Sequence, residues 1–310
     1  MDVRIVILNY NGEKLLRECL PSILEASRRA RHPTRLTVID NCSRDKSVEI
    51  LKSEFPEFDI YLSKENRVLC TYNEYLKKIE EPVVILLNND IRVAPDFVDP
   101  LMGPFQRDGE IFMVTPRCLS FDGSHYEGGR SKSLIRYGLF WTSCIFDGYL
   151  PRIEEPGPTM AAGFGAFHRE KFLALGGYDD LYLPGRLEDN DLCFRAWKKG
   201  WKSLYEPHSV VFHQGASSFN ERFGARETLA LSHRNSFLFL WKNITDVVYL
   251  FQHFALLLPR LLHALLTGNF PIVLGFLRAL PLVPEALGRR KKVLKEKALL
   301  SDQQIFGMVK

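Results

Sequence analysis

The sequence lacks the cysteine spacing that marks a metal ribbon or a redox dithiol. Its six cysteines, Cys19, Cys42, Cys70, Cys118, Cys144 and Cys193, form no Cys-x-x-Cys pair. They are too dispersed for a disulfide scaffold, so reduced thiols in a cytosolic protein are expected. No internal repeat or low-complexity tract is visible, which argues against a solenoid or a disordered linker protein. A charge excess is missing from most of the chain as well. The net charge is +4, but residues 236–310 carry ten Lys/Arg against four Asp/Glu, a net of +6, which leaves −2 on the first 235 residues. A nucleic-acid groove across the folded part is therefore not expected, whereas an anionic surface beside the C-terminal part is. Met1-Asp2-Val3-Arg4 has an early acid and only a short apolar run after it. It is expected to open a first β-strand and not to be a secretory signal. What remains is an ordinary folded composition, 46% hydrophobic and 25% charged over 310 residues, enough for one large domain or two smaller ones.

The first third alternates strand-like and helix-like segments. Val3–Leu8, Leu36–Ile39, Asp59–Leu62 and Val83–Leu87 read as strands. Helices are expected over about 13–29, 45–53 and 70–78, and Pro95 suits the start of another. This order predicts an α/β fold with a mostly parallel sheet flanked by helices. Three strands stop abruptly in polar residues: Asn9-Tyr10-Asn11-Gly12, Asp40-Asn41-Cys42-Ser43-Arg44-Asp45, and Asn88-Asn89-Asp90. Parallel strands bring their carboxyl ends to one edge, where ligands bind in open sheets, so Asn9, Asp40 and Asp90 should converge on a site. Asp45 reads equally well as a helix cap.

Further along, residues 117–158 are rich in Gly, Ser and aromatics and suggest inserted loops that decide what binds. In Ala161-Ala162-Gly163-Phe164-Gly165, two glycines permit either close backbone approach to a ligand or a bulge. Glu188-Asp189-Asn190-Asp191 opens a helix that Gly200 stops. Its three acids exceed what the helix dipole calls for, so at least one should be functional. Ser209–His213 reads as a short strand ending in histidine.

Taken in order, these motifs (with Gly176-Gly177-Tyr178-Asp179 before the acidic helix start) resemble the family 2 glycosyltransferases, nearest to their rhamnosyltransferase-like members. The resemblance covers roughly residues 3–235 and implies a GT-A fold that binds a nucleotide-diphosphate sugar. It implies that Asp40 contacts the base, with Asn9 and Asp45 near the nucleoside. Asn66, Asn73 and Asn89 would belong to the same binding region, with Gly163 and Gly165 beside the donor sugar. Asp90 takes the metal position of the Asp-x-Asp motif, with Asn88 in place of its first acid, and His213 matches the histidine that joins the metal or diphosphate. The implied cofactor is a divalent cation, Mn²⁺ or Mg²⁺. Asp189 matches the catalytic base, with Glu188 beside the substrate, in a single-displacement, inverting transfer. One departure stands out: Val68 occupies the usual glycine of the Asn66-to-Asn73 segment. It is the feature that favours an alternative, an inactive sugar-nucleotide-binding or scaffold protein of the same fold.

The chain is expected to divide into a GT-A domain, 1–235, and an amphipathic, basic helical region, 236–310. Residues 247–287 are leucine-rich, but Gln252, His253, Arg260 and His263 interrupt them, and an arginine near mid-span costs roughly 2.5–3.5 kcal/mol on insertion. His253, Arg260, His263 and Thr267 share one helical face, while Leu250, Phe254, Leu257, Leu258, Leu261 and Leu265 share another. This is the pattern of a helix lying in a membrane interface. Arg289-Arg290-Lys291-Lys292, with Lys295 and Lys297, would add attraction to anionic lipid; the competing reading is a helical hairpin packed on the catalytic domain. A cytoplasmic protein peripherally bound to the inner membrane face follows, with a glycan or lipid-linked acceptor.

Overall fold

The computed structural model describes residues 1–160, 163–214 and 223–309. Ala161 and Ala162 of the glycine-bearing segment lie outside the described residues. The first half builds β1 (Val3–Asn9), α1 (Glu13–Arg29), β2 (Thr34–Asp40), α2 (Ser47–Glu54), β3 (Asp59–Leu62), α3 (Tyr72–Tyr75) and β4 (Val83–Asn88). Then follow β5 (Ile91–Val93), α4 (Val98–Arg107) and β6 (Ile111–Ser120). β1 pairs in parallel with β2 on one side and β4 on the other, and β2 continues in parallel to β3. Both faces of these strands are covered. Val3, Ile5 and Ile7 join the helices α1, α2 and α4 in one apolar cluster, while Val6 joins a second cluster on the other face. Strands buried on both sides read as unbroken apolar runs, which is why Val83–Leu87 shows no alternation.

Residues 117–158, anticipated as loops with short strands, extend β6 and add β7 (Tyr126–Gly128), the hairpin β8 (Lys132–Arg136) and β9 (Leu139–Ser143), a helical turn α5 (Tyr149–Arg152) and β10 (Gly157–Pro158). β11 (Gly165–His168) lies antiparallel between β4 and β6. After α6 (Arg169–Ala174) and α7 (Glu188–Lys198), β12 (Lys202–His213) pairs in parallel with β6 and antiparallel with β5. The short strand read at 209–213 is thus the end of a twelve-residue one. The sheet order is β10-β12-β6-β11-β4-β1-β2-β3. The β12–β5 pairing sets His213 opposite Ile91, next to Asp90.

The remaining helices are α8 (Ala225–Asn243), α9 (Val247–Leu266), α10 (Phe270–Ala279), α11 (Val283–Lys295) and α12 (Asp302–Phe306). α8 runs through the 235/236 boundary, so the two parts meet inside one helix. It anchors the C-terminal region to α7 through a polar knot. The fully buried Asp191 carboxylate accepts hydrogen bonds from Lys242 Nζ at 2.6 Å, Asn243 Nδ2 at 2.7 Å, Tyr182 OH at 2.8 Å and Arg195 Nε at 2.7 Å. Burial alone would raise its pKa. The Lys242 and Arg195 charges and the hydrogen bonds overcome that and hold it well below the usual carboxylate range. Lys242 also reaches Asp179 at 2.5 Å.

α9 turns out opposite to a helix whose polar side meets water. His253 is wholly buried, accepting from Trp241 Nε1 at 3.0 Å and facing the Gly138 carbonyl at 2.7 Å. The outward side carries Phe251, Phe254, Leu258 and Leu262, all more than half exposed. The side turned to the protein is mixed: Leu250 and Leu257 pack there with His253, whereas His263 and Thr267 of the expected polar face are exposed. The basic cluster is likewise partly spent inside: Arg290 caps the Trp241 and Ile244 carbonyls at the end of α8, and Arg289 pairs with Asp179 and Asp180. Two helical stretches, Val247–Leu266 and Phe270–Lys295, are long and apolar enough to cross a membrane by length and composition.

Breaking a buried ion pair by removing one partner costs about 3–5 kcal/mol because the other charge is left uncompensated. Lys242→Met should therefore lower the unfolding free energy by about 3 kcal/mol or more in urea titration, with the loss reduced in the double variant Lys242→Met/Asp191→Asn.

Candidate active site

The register of β1 sets the floor of the site. Asn9 stands opposite Asp40, and Leu8 opposite Asn88. Asn9 Nδ2 donates to Asp40 Oδ1 and to Ser43 Oγ, both at 3.2 Å, and Asn89 Nδ2 donates to Asn9 Oδ1 at 2.8 Å. The Ser43 amide binds the other Asp40 oxygen at 3.0 Å. Gly12 is required here. A Cβ on it would fall 2.2 Å from Asn89 Nδ2 and 2.3 Å from Asn9 Oδ1, through the hydrogen bond itself. A groove of about 610 Å³ opens beside this network, lined by Asn11, Gly12, Arg44, Asp45 and Gln214 among others.

Asp45 caps α2 through the Ser47 amide and ties it to the first turn of α1 through the Glu13 amide, each at 3.0 Å. Burial raises its pKa, but these hydrogen bonds outweigh that and lower it. The capping role is thus filled, at the rim of the groove. Asn66 Oδ1 accepts from Asn41 Nδ2 and from the Val68 amide. Asn73 latches the Gly177–Tyr178 turn, donating to the Tyr178 carbonyl at 2.7 Å and accepting from its amide at 2.9 Å. Its hydrogen bonds are with that turn. Gly165, at φ +141, lies against the Val114 carbonyl of β6, where a Cβ would come within 2.5 Å; strand packing explains it. Gly163 has open space around its Cα.

Asp90 leaves the end of β4 toward His213, with Oδ2 at 3.4 Å from Nε2. The other ring nitrogen of His213 sits 3.0 Å from Glu127 Oε2, on β7. Burial works against the imidazolium, but the hydrogen bonds and charges of Asp90 and Glu127 outweigh it and raise the pKa to about 9. His213 is therefore cationic near neutrality, and its contribution to stability is present below the unfolded pKa of about 6.5 and lost as pH rises through about 9. Asp90 Oδ1 is buried without a hydrogen-bond partner among the described residues. Cys118, Glu127 and His213 bring ligand atoms within 4.8 Å of one another. A carboxylate with one oxygen beside an imidazole and the other unpartnered among the described residues, with a second carboxylate behind the ring, is a donor set that fits a divalent cation.

Glu188 and Asp189 open α7. Burial raises the pKa of both, and at Glu188 the neighbouring Asp189 charge adds to the rise, to about 8. Asp189 Oδ1 accepts from the Asn190 amide at 2.8 Å, and Glu188 Oε2 is buried without a hydrogen-bond partner among the described residues. Asn235 of α8 holds the turn before this helix start through the Gly185 carbonyl at 2.8 Å and the Arg186 carbonyl at 2.7 Å. The Cys144 sulfur packs on Gly128, next to Glu127. Glu127, Cys118 and Asn235 were not anticipated; they sit on strands and a helix that meet the site only through non-local pairing.

A ten-stranded mixed sheet, with amides and carboxylates at the ends of its parallel strands and an Asp–His pair where β4 and β12 end, has the form of the GT-A nucleotide-sugar transferases. The chain belongs to glycosyl transferase family 2, whose model matches residues 4–176. It is 26% identical to the N-acetylglucosaminyl-diphospho-decaprenol L-rhamnosyltransferase of Mycobacterium tuberculosis over 260 residues, 76% of this chain and 83% of that one. The crystal structure of GalNAc-T7 with UDP, GalNAc and Mn²⁺ aligns at a TM-score of 0.59 and 20% identity, over 79% of this chain and 48% of that one. This chain therefore matches about half the length of that protein. S. aureus TarS 1–349 with UDP-GlcNAc aligns at 0.58 and 13% identity, over 94% and 84%.

Val68 has φ +51, a left-handed conformation that explains a glycine at this place and that a β-branched residue adopts only under strain. That conformation costs a non-glycine residue about 1–2 kcal/mol, and glycine's extra chain entropy returns part of it. Val68→Gly should raise the urea midpoint by the equivalent of about 0.5–1 kcal/mol; an unchanged midpoint would mean the strain is relaxed elsewhere.

Proposed function

We propose that this protein transfers a sugar from a nucleotide-diphosphate sugar to a hydroxyl of a lipid-linked or polysaccharide acceptor, with inversion, at the cytoplasmic face of the membrane. The observation that carries the reading is the strand-end edge that gathers Asn9, Asp40 and Asp90, where Asp90 Oδ1 is buried without a hydrogen-bond partner among the described residues. A buried oxygen without a partner is costly unless a ligand completes it.

Asn9, Asp40 and Asn89 hold the nucleoside end of the groove rigid. Asp90 and His213 would hold a divalent cation, Mn²⁺ or Mg²⁺, and Glu127 fixes the ring of His213 through Nδ1. When bound, the cation would supply Lewis-acid neutralisation of the diphosphate. His213 would have to give up its proton to serve as a ligand, so cation affinity is expected to rise with pH up to about 9. Asp189 takes the proton of the acceptor hydroxyl at Oδ2, because Oδ1 is held by the Asn190 amide. Its raised pKa makes it a stronger base, and a protonated Glu188 beside it does not repel the nucleophile. Attack from the face opposite the diphosphate inverts the anomeric centre. The mycobacterial relative's name gives a lipid diphosphate acceptor, which agrees with an apolar helical face on the same molecule.

A general base is worth about 10²–10⁴-fold. Asp189→Asn should lose that much transfer rate while binding UDP-sugars as the parent does, and NMR of the product should show the opposite anomer from the donor. Wild-type protein that binds donor but never turns over with any acceptor or water would establish the scaffold alternative.

The organisation proposed is a GT-A domain with a C-terminal helical region lying on the bilayer through the outward face of α9. Burying a phenylalanine or leucine is worth about 1.5–3 kcal/mol, so Phe251→Ser/Phe254→Ser/Leu258→Ser should weaken vesicle co-sedimentation more than tenfold. A parent protein found wholly in the supernatant at low salt would end this part of the reading.

A further inference from the structure

A second cavity, of about 530 Å³, lies behind the catalytic helix. Its walls are the 176–180 turn, the C-terminal half of α7, the end of α8 and the stretch from α11 to Ala298. None of Asn9, Asp40, Asp90, Asp189 or His213 reaches it, so it is separate from the strand-end groove. Eight of its lining residues are Lys or Arg and three are Asp or Glu.

Six of those eight cations answer carboxylates. Lys242 and Arg289 share Asp179, Arg289 and Arg67 share Asp180, and Arg195, Lys198 and Lys199 pair with Asp191, Asp302 and Glu296. Lys292 and Lys297 have no carboxylate partner among the described residues, and both line the cavity. Their neighbours Lys291 and Lys295 do not. A concave wall with cations in excess focuses a positive potential and concentrates anions. The volume falls in the range of small-molecule sites, about 300–1,000 Å³, far larger than a bare halide fills. Leu175, Phe194, Val293 and Leu294 supply apolar wall beside the charges, so the fitting ligand carries an organic body as well as its charge.

We propose that this cavity binds a phosphate- or diphosphate-bearing ligand, with Lys292 and Lys297 taking the phosphate at its mouth. The phosphate can belong to an anionic lipid headgroup or to a soluble phosphorylated molecule. Neither source depends on the transfer reaction proposed above.

The test uses the full chain in EDTA, which keeps a cation from holding the probe at the other site. Pyrophosphate is titrated by calorimetry into the parent, into Lys292→Gln/Lys297→Gln, and into Lys292→Arg/Lys297→Arg. Both lysines are exposed, and equal melting temperatures establish that the variants fold. Binding to the parent, weakened at least tenfold in the glutamine pair and restored in the arginine pair, supports the site. Equal pyrophosphate affinity in parent and glutamine variant, or no binding to either, overturns it. Competition then names the source. Phosphatidylglycerol vesicles that displace pyrophosphate, where phosphatidylcholine vesicles do not, assign a lipid headgroup, and failure of both to displace it assigns a soluble ligand.

Discussion

The fold turns on one buried carboxylate. Asp191 sits a turn inside α7 with no exposure at all, and four donors from three places converge on it. Through Tyr182 and Arg195 it fixes the turn and helix that present Glu188 and Asp189. Through Lys242 and Asn243 it fixes α8, and α8 in turn holds the 185–186 carbonyls with Asn235. The C-terminal helices are therefore part of what shapes the acidic helix start at Glu188 and Asp189. A charge this deep contributes little net stability compared with an apolar replacement. Its use here is to specify a single arrangement of elements that apolar contacts alone would leave free to slide.

The sheet was legible because its signal is local. Each central strand is an unbroken apolar run that ends in polar residues, and parallel order then dictates that Asn9, Asp40 and Asp90 lie on one edge. His213 and Asp189 were singled out by the family resemblance, and the structure puts His213 beside Asp90, and Asp189 at the start of α7. Glu127 was hidden because it acts across β6, β7 and β12, and no spacing in the chain encodes that adjacency. Asp191 was visible only as one of three clustered acids; its role needed Lys242, fifty-one residues away. Asn73 and Asp45 show the converse. Their positions match binding motifs, yet their hydrogen bonds are spent on a turn and on two helix starts. Periodicity divided the faces of α9 only in part: His253 turns inward and Phe254 and Leu258 outward, but Leu250 and Leu257 pack on the protein while His263 and Thr267 are exposed, and a period says nothing about which side the protein takes. The buried His253, held by Trp241 and Gly138, decides that.

Strain gathers where the chemistry is proposed. Asn11, Cys42 and Val68 take positive φ around the nucleoside end, and Arg186 and Leu187 do so just before the acidic helix start. Such conformations persist when surrounding contacts over-determine them. Here the contacts are named: Asn11 Oδ1 accepts from the Arg44 amide, Asn66 from the Val68 amide, and Asn235 grips the Arg186 carbonyl. Rigid, strained loops bind ligand without first having to be ordered, which leaves more of the binding free energy for the reaction.

The outward apolar face of α9 has a geometric corollary. The helix is bolted to the protein at His253 and cannot swivel. Laid against a bilayer it would therefore do more than tether the molecule. It would set the roll and height of the cleft above the lipid, so that a substrate hydroxyl is met only at one depth, and molecular reach becomes a filter on which acceptors are used.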